Sequence, residues 1–455
     1  MIAQILGRVA GPGPGVEPSG PGFPDYPRKV RAGTVCRVRS DVTAAEALRI
    51  ILERTPVLGA ETVALPQALG RVLTEAVVST RRLPPADNSA MDGYALRAAD
   101  LSGASDAPIA LPVRFEVAAG DTAERPLAPG ECARIFTGAP VPPGADAVVR
   151  QEDVEREAER ATFAQPTEPG EHIRRAGEDV DAGDRVYEPG ERIGPAQVGM
   201  LASLGRAFVS TRQRPRVAIL SGGDELVEPD GDVGGGRIVS SNSYTIAAQC
   251  RELGAEPVYL GIARDTPEDI EDRLRNGLSA DLLVSSAGVS VGDRDYVRGV
   301  LEKLGCRLHF WGVRIKPGYP LAFGSFGDDP RGPLVFGLPG NPVSAMMTFE
   351  QFVRPALRKM TGHAKLYRPR VEAILADGLR KRAGRLHFVR VALSREGGRV
   401  VACSTGNQSS GVLRSMSLAQ GLLVFPAEAT ELREGETVQV QVLDEQFLAS
   451  DSPGF

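Results

Sequence analysis

A chain of 455 residues has the length of about three or four ordinary domains, each able to bury a core. Its 42% hydrophobic and 24% charged residues are those of a globular protein, and 53 basic against 58 acidic side chains leave a net charge of −5. That balance excludes a basic nucleic-acid binder, and one Trp among 5% aromatics leaves few platforms for stacking single-stranded bases.

Met1 to Ile5 carry no positive region and lead into Gly and Pro, unlike a secretion signal, so the expected location is the cytoplasm. Residues 1–27 hold twelve Gly or Pro, and the composition to residue 40 predicts a disordered tail. From Thr43, a good N-cap, the apolar positions Ala44, Ala47, Leu48, Ile50, Ile51 and Leu52 predict an amphipathic helix. Pro, Gly and short apolar runs such as Cys132 to Phe136 predict a small β-rich domain over residues 84–171. Residues 172–213, with a helix from Pro195 stopped by Gly205, are expected to pack back on 41–83 as one discontinuous, mixed N-terminal domain.

From Arg216 the rhythm becomes strand, glycine loop, helix, and it predicts a parallel-sheet α/β domain over residues 214–363. Its strands are Val217–Leu220, Val258–Ile262, Leu282–Ser285 and Leu334–Phe336; helices follow from about Ser243, Pro267, Tyr296 and Val343. The longest uncharged stretch, Gly332 to Phe349, is broken by three prolines and cannot span a membrane as an apolar helix. Residues 364–447 alternate, as in Val438-Val440-Val442, and predict a small antiparallel barrel or sandwich. The fold class is therefore multidomain α/β. Five well-separated cysteines and four single histidines offer neither a disulfide framework nor a zinc site, so any metal is expected on oxygen ligands.

In an open parallel sheet, ligands bind beyond the carboxyl ends of the strands. Four loops occupy that edge: Ser221 to Glu225, Arg264 to Pro267, Ala287 to Asp295 and Leu338 to Pro342. Glu225, Asp265 and Asp295 come from three strand ends and form a candidate Mg²⁺ set facing a phosphate ligand. The alternative for Asp265 is a plain turn residue before a helix capped by Thr266. The glycines of the third and fourth loops offer backbone amides to an anion. Gly288-Val289-Ser290-Val291-Gly292 also matches a nucleophile elbow, the mark of an α/β-hydrolase using Ser290.

Pro85-Ala86-Asp87-Asn88-Ser89-Ala90-Met91-Asp92-Gly93-Tyr94-Ala95 resembles a signature of the MoeA and gephyrin E-domain family, the molybdopterin molybdenumtransferases. Thr137-Gly138-Ala139-Pro140, Gly177-Glu178-Asp179, Gly223-Asp224-Glu225, Gly288 to Gly292, Lys316-Pro317-Gly318 and Leu338 to Pro342 resemble its later blocks, so the likeness runs from about Val42 to Leu443. The resemblance implies four domains with a molybdopterin-binding α/β domain and a C-terminal β-barrel, in a homodimer whose clefts are built from both subunits. It further implies adenylylated molybdopterin and molybdate as substrates, Mg²⁺-dependent release of AMP, and an upstream molybdopterin adenylyltransferase that supplies the pterin. Carried over by motif, Asp92, Thr137, Asp179, Glu225 and Lys316 are the implied catalytic residues. Ser221, Gly288, Ser290, Gly292, Pro339, Gly340, Asn341 and Pro342 are implied to bind substrate. Three positions depart from the pattern: Gly222 replaces Thr, Ala287 replaces Gly, and Tyr319 replaces a second lysine, with Arg294 and Arg314 as candidate substitutes for its charge. The loss at Tyr319 leaves open a catalytically weakened, cofactor-binding scaffold homologue.

Overall fold

The computed structural model describes residues 38–122, 124–286, 296–327 and 332–449, which fold as two units. One is formed by the chain up to Glu61 and from Arg212 onward, the other by Thr62–Thr211.

The first unit is built on a seven-stranded sheet. Its order is Arg39–Val42, Cys306–Val313, Ala322–Phe326, Leu334–Gly337, Leu282–Ser285, Arg216–Gly222 and Glu256–Ala263. Ala322–Phe326 alone runs antiparallel to its neighbours, so the sheet read as parallel is mixed. The four central strands are buried on both faces, and three of them, all but Ala322–Phe326, carry the Val and Leu that such burial calls for. The helices Ser241–Glu252, Pro267–Gly277 and Tyr296–Lys303 begin within two residues of their expected starts. Thr266 caps the second by accepting from the Asp269 amide at 3.4 Å, and Pro267 takes its first position. A last helical run starts at Pro342, passes through a π turn at Phe349–Val353 and ends at Met360.

The amino-terminal boundaries differ from the expected ones. Arg39 and Ser40, read as the end of a tail, already belong to a strand pairing with Phe310 and Trp311. The Ala44–Arg54 helix, capped by Thr43, buries Ala47, Ile50 and Ile51 in the core that holds Phe310 and Val313, so it serves the sheet and not a domain of residues 41–83 and 172–213. Helical periodicity identifies which face is buried; it does not say which surface covers it.

After residue 366 five strands close a ring: Leu386–Glu396, Arg399–Ser404, Arg370–Leu375, Thr437–Val442 and Gly421–Phe425, which returns to the first. The barrel is antiparallel except between Arg370–Leu375 and Arg399–Ser404. Val438, Val440 and Val442 point inward with Val389, Val391 and Leu393, the alternation seen in the sequence. The two-residue strand Ile315–Lys316 adds itself to this barrel opposite Leu386 and His387.

In the second unit a six-stranded sheet (Ala147–Arg150, Gly93–Leu96, Cys132–Ile135, Ile109–Val117, Arg160–Phe163, Val154–Glu157) has its own cores. A further core gathers Val63, Leu73, Ile193 and Leu201 around the Pro195–Ser203 helix, whose stop is Gly205 at φ 74°. No helix among the described residues is long and apolar enough to cross a membrane.

His309, on the Cys306–Val313 strand with Nε2 2.8 Å from Ser325 Oγ, is held near pKa 4 by burial and by Arg54 and Arg307. Its ordinary value is 6.5, so the folded state resists a proton that the unfolded chain accepts. Its contribution to stability is complete above pH 6.5 and drains away as pH falls toward 4. Urea unfolding at stepped pH is expected to show a shallower loss across that window for His309→Gln than for the wild type.

Candidate active site

The carboxyl ends of the sheet strands border a cavity of about 640 Å³, a volume within the usual range for small-molecule sites. Glu225, Asn242, Ser286 and the Pro339–Pro342 turn are among its lining residues. Thus the first and fourth loops meet, as the sheet-edge argument expected. Gly223, at φ 140°, holds a backbone conformation that L side chains rarely adopt, which is why glycine stands here.

Ser221 stands behind the wall. It is fully buried, receives a hydrogen bond from Ser240 Oγ at 3.0 Å and lies 3.2 Å from Ser286 Oγ. Ser240 Oγ is also 3.1 Å from Ser243 Oγ, so four hydroxyls join two strand ends to the start of the Ser241–Glu252 helix. Asn242 donates through Nδ2 to Gly340 O at 2.8 Å, tying that helix to the fourth loop. Its Oδ1 is buried at the cavity wall without a hydrogen-bond partner among the described residues. Ser240 to Asn242 and Ser286 are site residues that sequence reasoning passed over; the polar run Ser240-Ser241-Asn242-Ser243 before a helix was the available signal.

The fourth loop offers less to an anion than its glycine suggested. Pro342 has no N–H, and the Val343 amide is taken by Ser410 O at 3.1 Å. Gly288, Ser290, Gly292 and Asp295, with the rest of 287–295, lie outside the described residues. Asp265 donates its amide to Asp224 Oδ1 at 3.2 Å, which joins the first and second loops. Among the described residues no group of three or more His, Cys, Asp or Glu is gathered closely enough to hold a metal ion.

The second unit carries the other implied catalytic residues. Thr137 donates to Asp92 Oδ1 twice, from its amide at 2.8 Å and its hydroxyl at 2.7 Å. These bonds, the amide's first, hold the exposed Asp92 carboxyl below its ordinary pKa. Asp179 is exposed, its amide bonded to Leu83 O at 3.0 Å. Arg175 reaches Asp87 Oδ2 at 2.6 Å, so the segments around residues 87, 137 and 177 are laced into one surface. Asp92, Thr137 and Asp179 therefore belong to one folding unit, and Glu225, Ser221, Lys316 and the Pro339–Pro342 turn to the other.

Residues 42–205 match the MoeA N-terminal region (domain I and II), 218–359 a probable molybdopterin binding domain, and 372–443 the MoeA C-terminal region (domain IV). Molybdopterin molybdenumtransferase 2 of Mycobacterium tuberculosis is 39% identical over 402 residues, 87% of this chain and 98% of that one. The molybdopterin molybdenumtransferase of Haemophilus influenzae is 36% identical over 405 residues, 88% of this chain and 98% of that one. The crystal structure of a molybdopterin biosynthesis MoeA protein from Pyrococcus horikoshii superposes with a TM-score of 0.73 at 33% identity, covering 88% of this chain and 100% of the other. The chain belongs to the MoeA family.

Within this MoeA-family chain, Tyr319 can now be placed. Its ring packs edge-on against Trp311, with centroids 5.7 Å apart, and Arg385 lies 4.5 Å above it. Among the described residues the arginine over the Tyr319 ring is therefore Arg385, which was not one of the two expected, and Arg294 lies outside the described residues. Only the next residue, Pro320, lines the cavity. Lys316 is exposed on the short strand beside His387, and it contributes to lowering the pKa of both Lys381 and His387, after burial in each case.

Leu226, Ile238 and Val239 form the apolar side of the cavity, and Glu228 follows in the same segment as Leu226. Tyr244 and Tyr259 both donate phenolic protons to Glu228, at 2.9 and 3.0 Å. Tyr259 is buried, so Tyr259→Phe is expected to cost about 1.5–3 kcal/mol, the usual value of a bond to a charged group. Tyr244→Phe, at a more open position, is expected to cost less. Urea unfolding of the two variants checks the order.

Proposed function

We propose that this protein inserts molybdate into adenylylated molybdopterin and releases AMP, completing molybdenum cofactor. The observation that carries the reading is the cavity at the sheet edge, walled by Glu225, the serine cluster and the Pro339–Pro342 turn, in a chain of the MoeA family. The unpartnered Asn242 Oδ1 suits a ligand with N–H donors, and the apolar Ile238 and Val239 suit a flat ring. Pterin and adenine each have both properties.

Among the described residues, the donors around the cavity are carboxylate, hydroxyl, amide and carbonyl oxygens, with neither sulfur nor imidazole, and this fits a hard cation such as Mg²⁺. Glu225 and Asp265, with Asp295, would hold it, and it would neutralise charge on the phosphates during hydrolysis. Hydrolysis breaks the phosphoanhydride: water adds its oxygen to one phosphorus, and the bridging oxygen leaves with the other phosphate. Asp92, kept ionised by Thr137, and Asp179 are the second unit's contribution, which accepts or orients the proton released by that water. Gly222, Gly340, Asn341 and Pro342 shape the wall, and Ser221 keeps it in place. Lys316 supplies positive charge for molybdate, and Arg385 beside Tyr319 makes up for the missing lysine. The enzyme works as a cytoplasmic homodimer whose clefts are built from both subunits, and it receives its pterin from a molybdopterin adenylyltransferase.

His309 is bonded to Ser325, His363 lies 2.8 Å from Thr361 Oγ1, and His387 is enclosed, so none favours the reading of Ser290 as an acylated nucleophile. AMP release from adenylylated molybdopterin, followed with molybdate and Mg²⁺, tests the function. Glu225→Gln is expected to lower the rate at least about tenfold, equivalent to about 1.4 kcal/mol of barrier, and chelation of divalent metal to abolish it. Release unaffected by either change would overturn the metal-assisted reading.

A further inference from the structure

Arg390 sits in the Leu386–Glu396 barrel strand, where neighbouring side chains alternate between two environments. Val389, Val391 and Leu393 fill the barrel, whereas Phe388 packs into the core of the seven-stranded sheet. Arg390 shares the side of Phe388 and has no accessible surface at all. No carboxylate is paired with it among the described residues, and Nε and Nη1 have no partner. A buried guanidinium without a counter-ion is costly, and an aliphatic side chain would fill the same space without that cost.

What the guanidinium does is hold a loop. Nη2 donates to Asn407 O at 3.2 Å and to Ser409 O at 3.3 Å. The backbone of the same residue grips the loop again: Arg390 N donates to Gln408 Oε1 at 2.9 Å, while Arg390 O accepts from Thr405 N and Gln408 Nε2, each at 3.1 Å. Beyond these anchors, Ser410 O receives the Val343 amide at the start of the last helical run, and Gly411 lines the cavity. A continuous set of bonds therefore leads from a buried barrel residue to the cavity wall.

We propose that Arg390 is a positioning residue, which fixes the 405–411 loop so that Ser410 and Gly411 stand in register with the Pro339–Pro342 turn and thereby sets substrate affinity. The inference rests on the cavity being the pterin site proposed above. Its specificity for arginine follows from reach: both carbonyls, separated by one residue, accept from the single Nη2 at the far end of the guanidinium, a place the shorter lysine side chain does not attain.

Arg390→Lys tests this by hydrogen–deuterium exchange of peptides covering residues 404–412 and by steady-state AMP release. Expected are at least tenfold faster exchange in that loop, at least a tenfold higher half-saturating substrate concentration, and a kcat within threefold of wild type. Unchanged loop exchange overturns the positioning role, as does faster exchange with an unchanged half-saturation. Equal losses in kcat and in affinity assign the residue to the chemistry itself, which also overturns it. If wild type releases no AMP, the function proposed above fails; the exchange arm still decides whether Arg390 holds the loop. Should Arg390→Lys not fold, Arg390→Gln carries the same comparison, because it removes the charge that burial penalises and keeps an amide NH₂ as donor.

Discussion

The hydroxyl cluster of Ser221, Ser240, Ser243 and Ser286 is the constraint on which the cavity depends. It lies in a buried setting, where a hydroxyl left unpaired costs about 1–3 kcal/mol. Moving any one of the strand ends or the helix start would break bonds that water is not present to replace. The wall is thereby fixed by its own penalty, while Glu225 and Ile238 in front of it remain exposed to a ligand. Asn242 extends this order to the fourth loop through Gly340 O, and Arg390 orders the 405–411 loop that meets the same turn.

The same separation of rigid support from exposed function holds in the second unit. Asp92 reaches solvent, but its carboxylate is aimed by two bonds from Thr137, and the turns that carry both are stitched by backbone bonds among Asp87, Ser89, Ala139 and Val141. Gly93 lets the strand after Asp92 lie close to its neighbour, since a Cβ there would meet Val149 O at 2.1 Å. Aspartate in such a place is an ionised group with a fixed direction, which is what proton transfer or water orientation demands.

Much of this was legible in the sequence because strands buried on both faces and capped helices leave strong local marks. The Leu282–Ser285 strand and the Pro267 helix start have the limits read from composition and capping. Partners were harder to read. Nothing in the Ala44–Arg54 helix reveals that Phe310 and Val313 cover it, and nothing in Ala322–Phe326 reveals that it enters the sheet reversed. Strand direction depends on how the chain returns, which is a tertiary matter. In the site, Glu225 and the Pro339–Pro342 turn stood out because acids and glycines at strand ends have few structural duties. Ser240 to Asn242 resembled an ordinary helix start, and Arg385 an ordinary surface charge. Their roles come from residues about 100 and 66 positions away in sequence, Gly340 and Tyr319.

Hydrogen–deuterium exchange of the wild-type protein, with and without adenylylated molybdopterin, tests most directly whether the serine-walled cavity is the substrate site. Slower exchange is expected in peptides covering 221–228, 238–243, 338–345 and 409–412, which together enclose the cavity. Protection confined to other parts of the protein, with these four segments unchanged, would contradict the assignment.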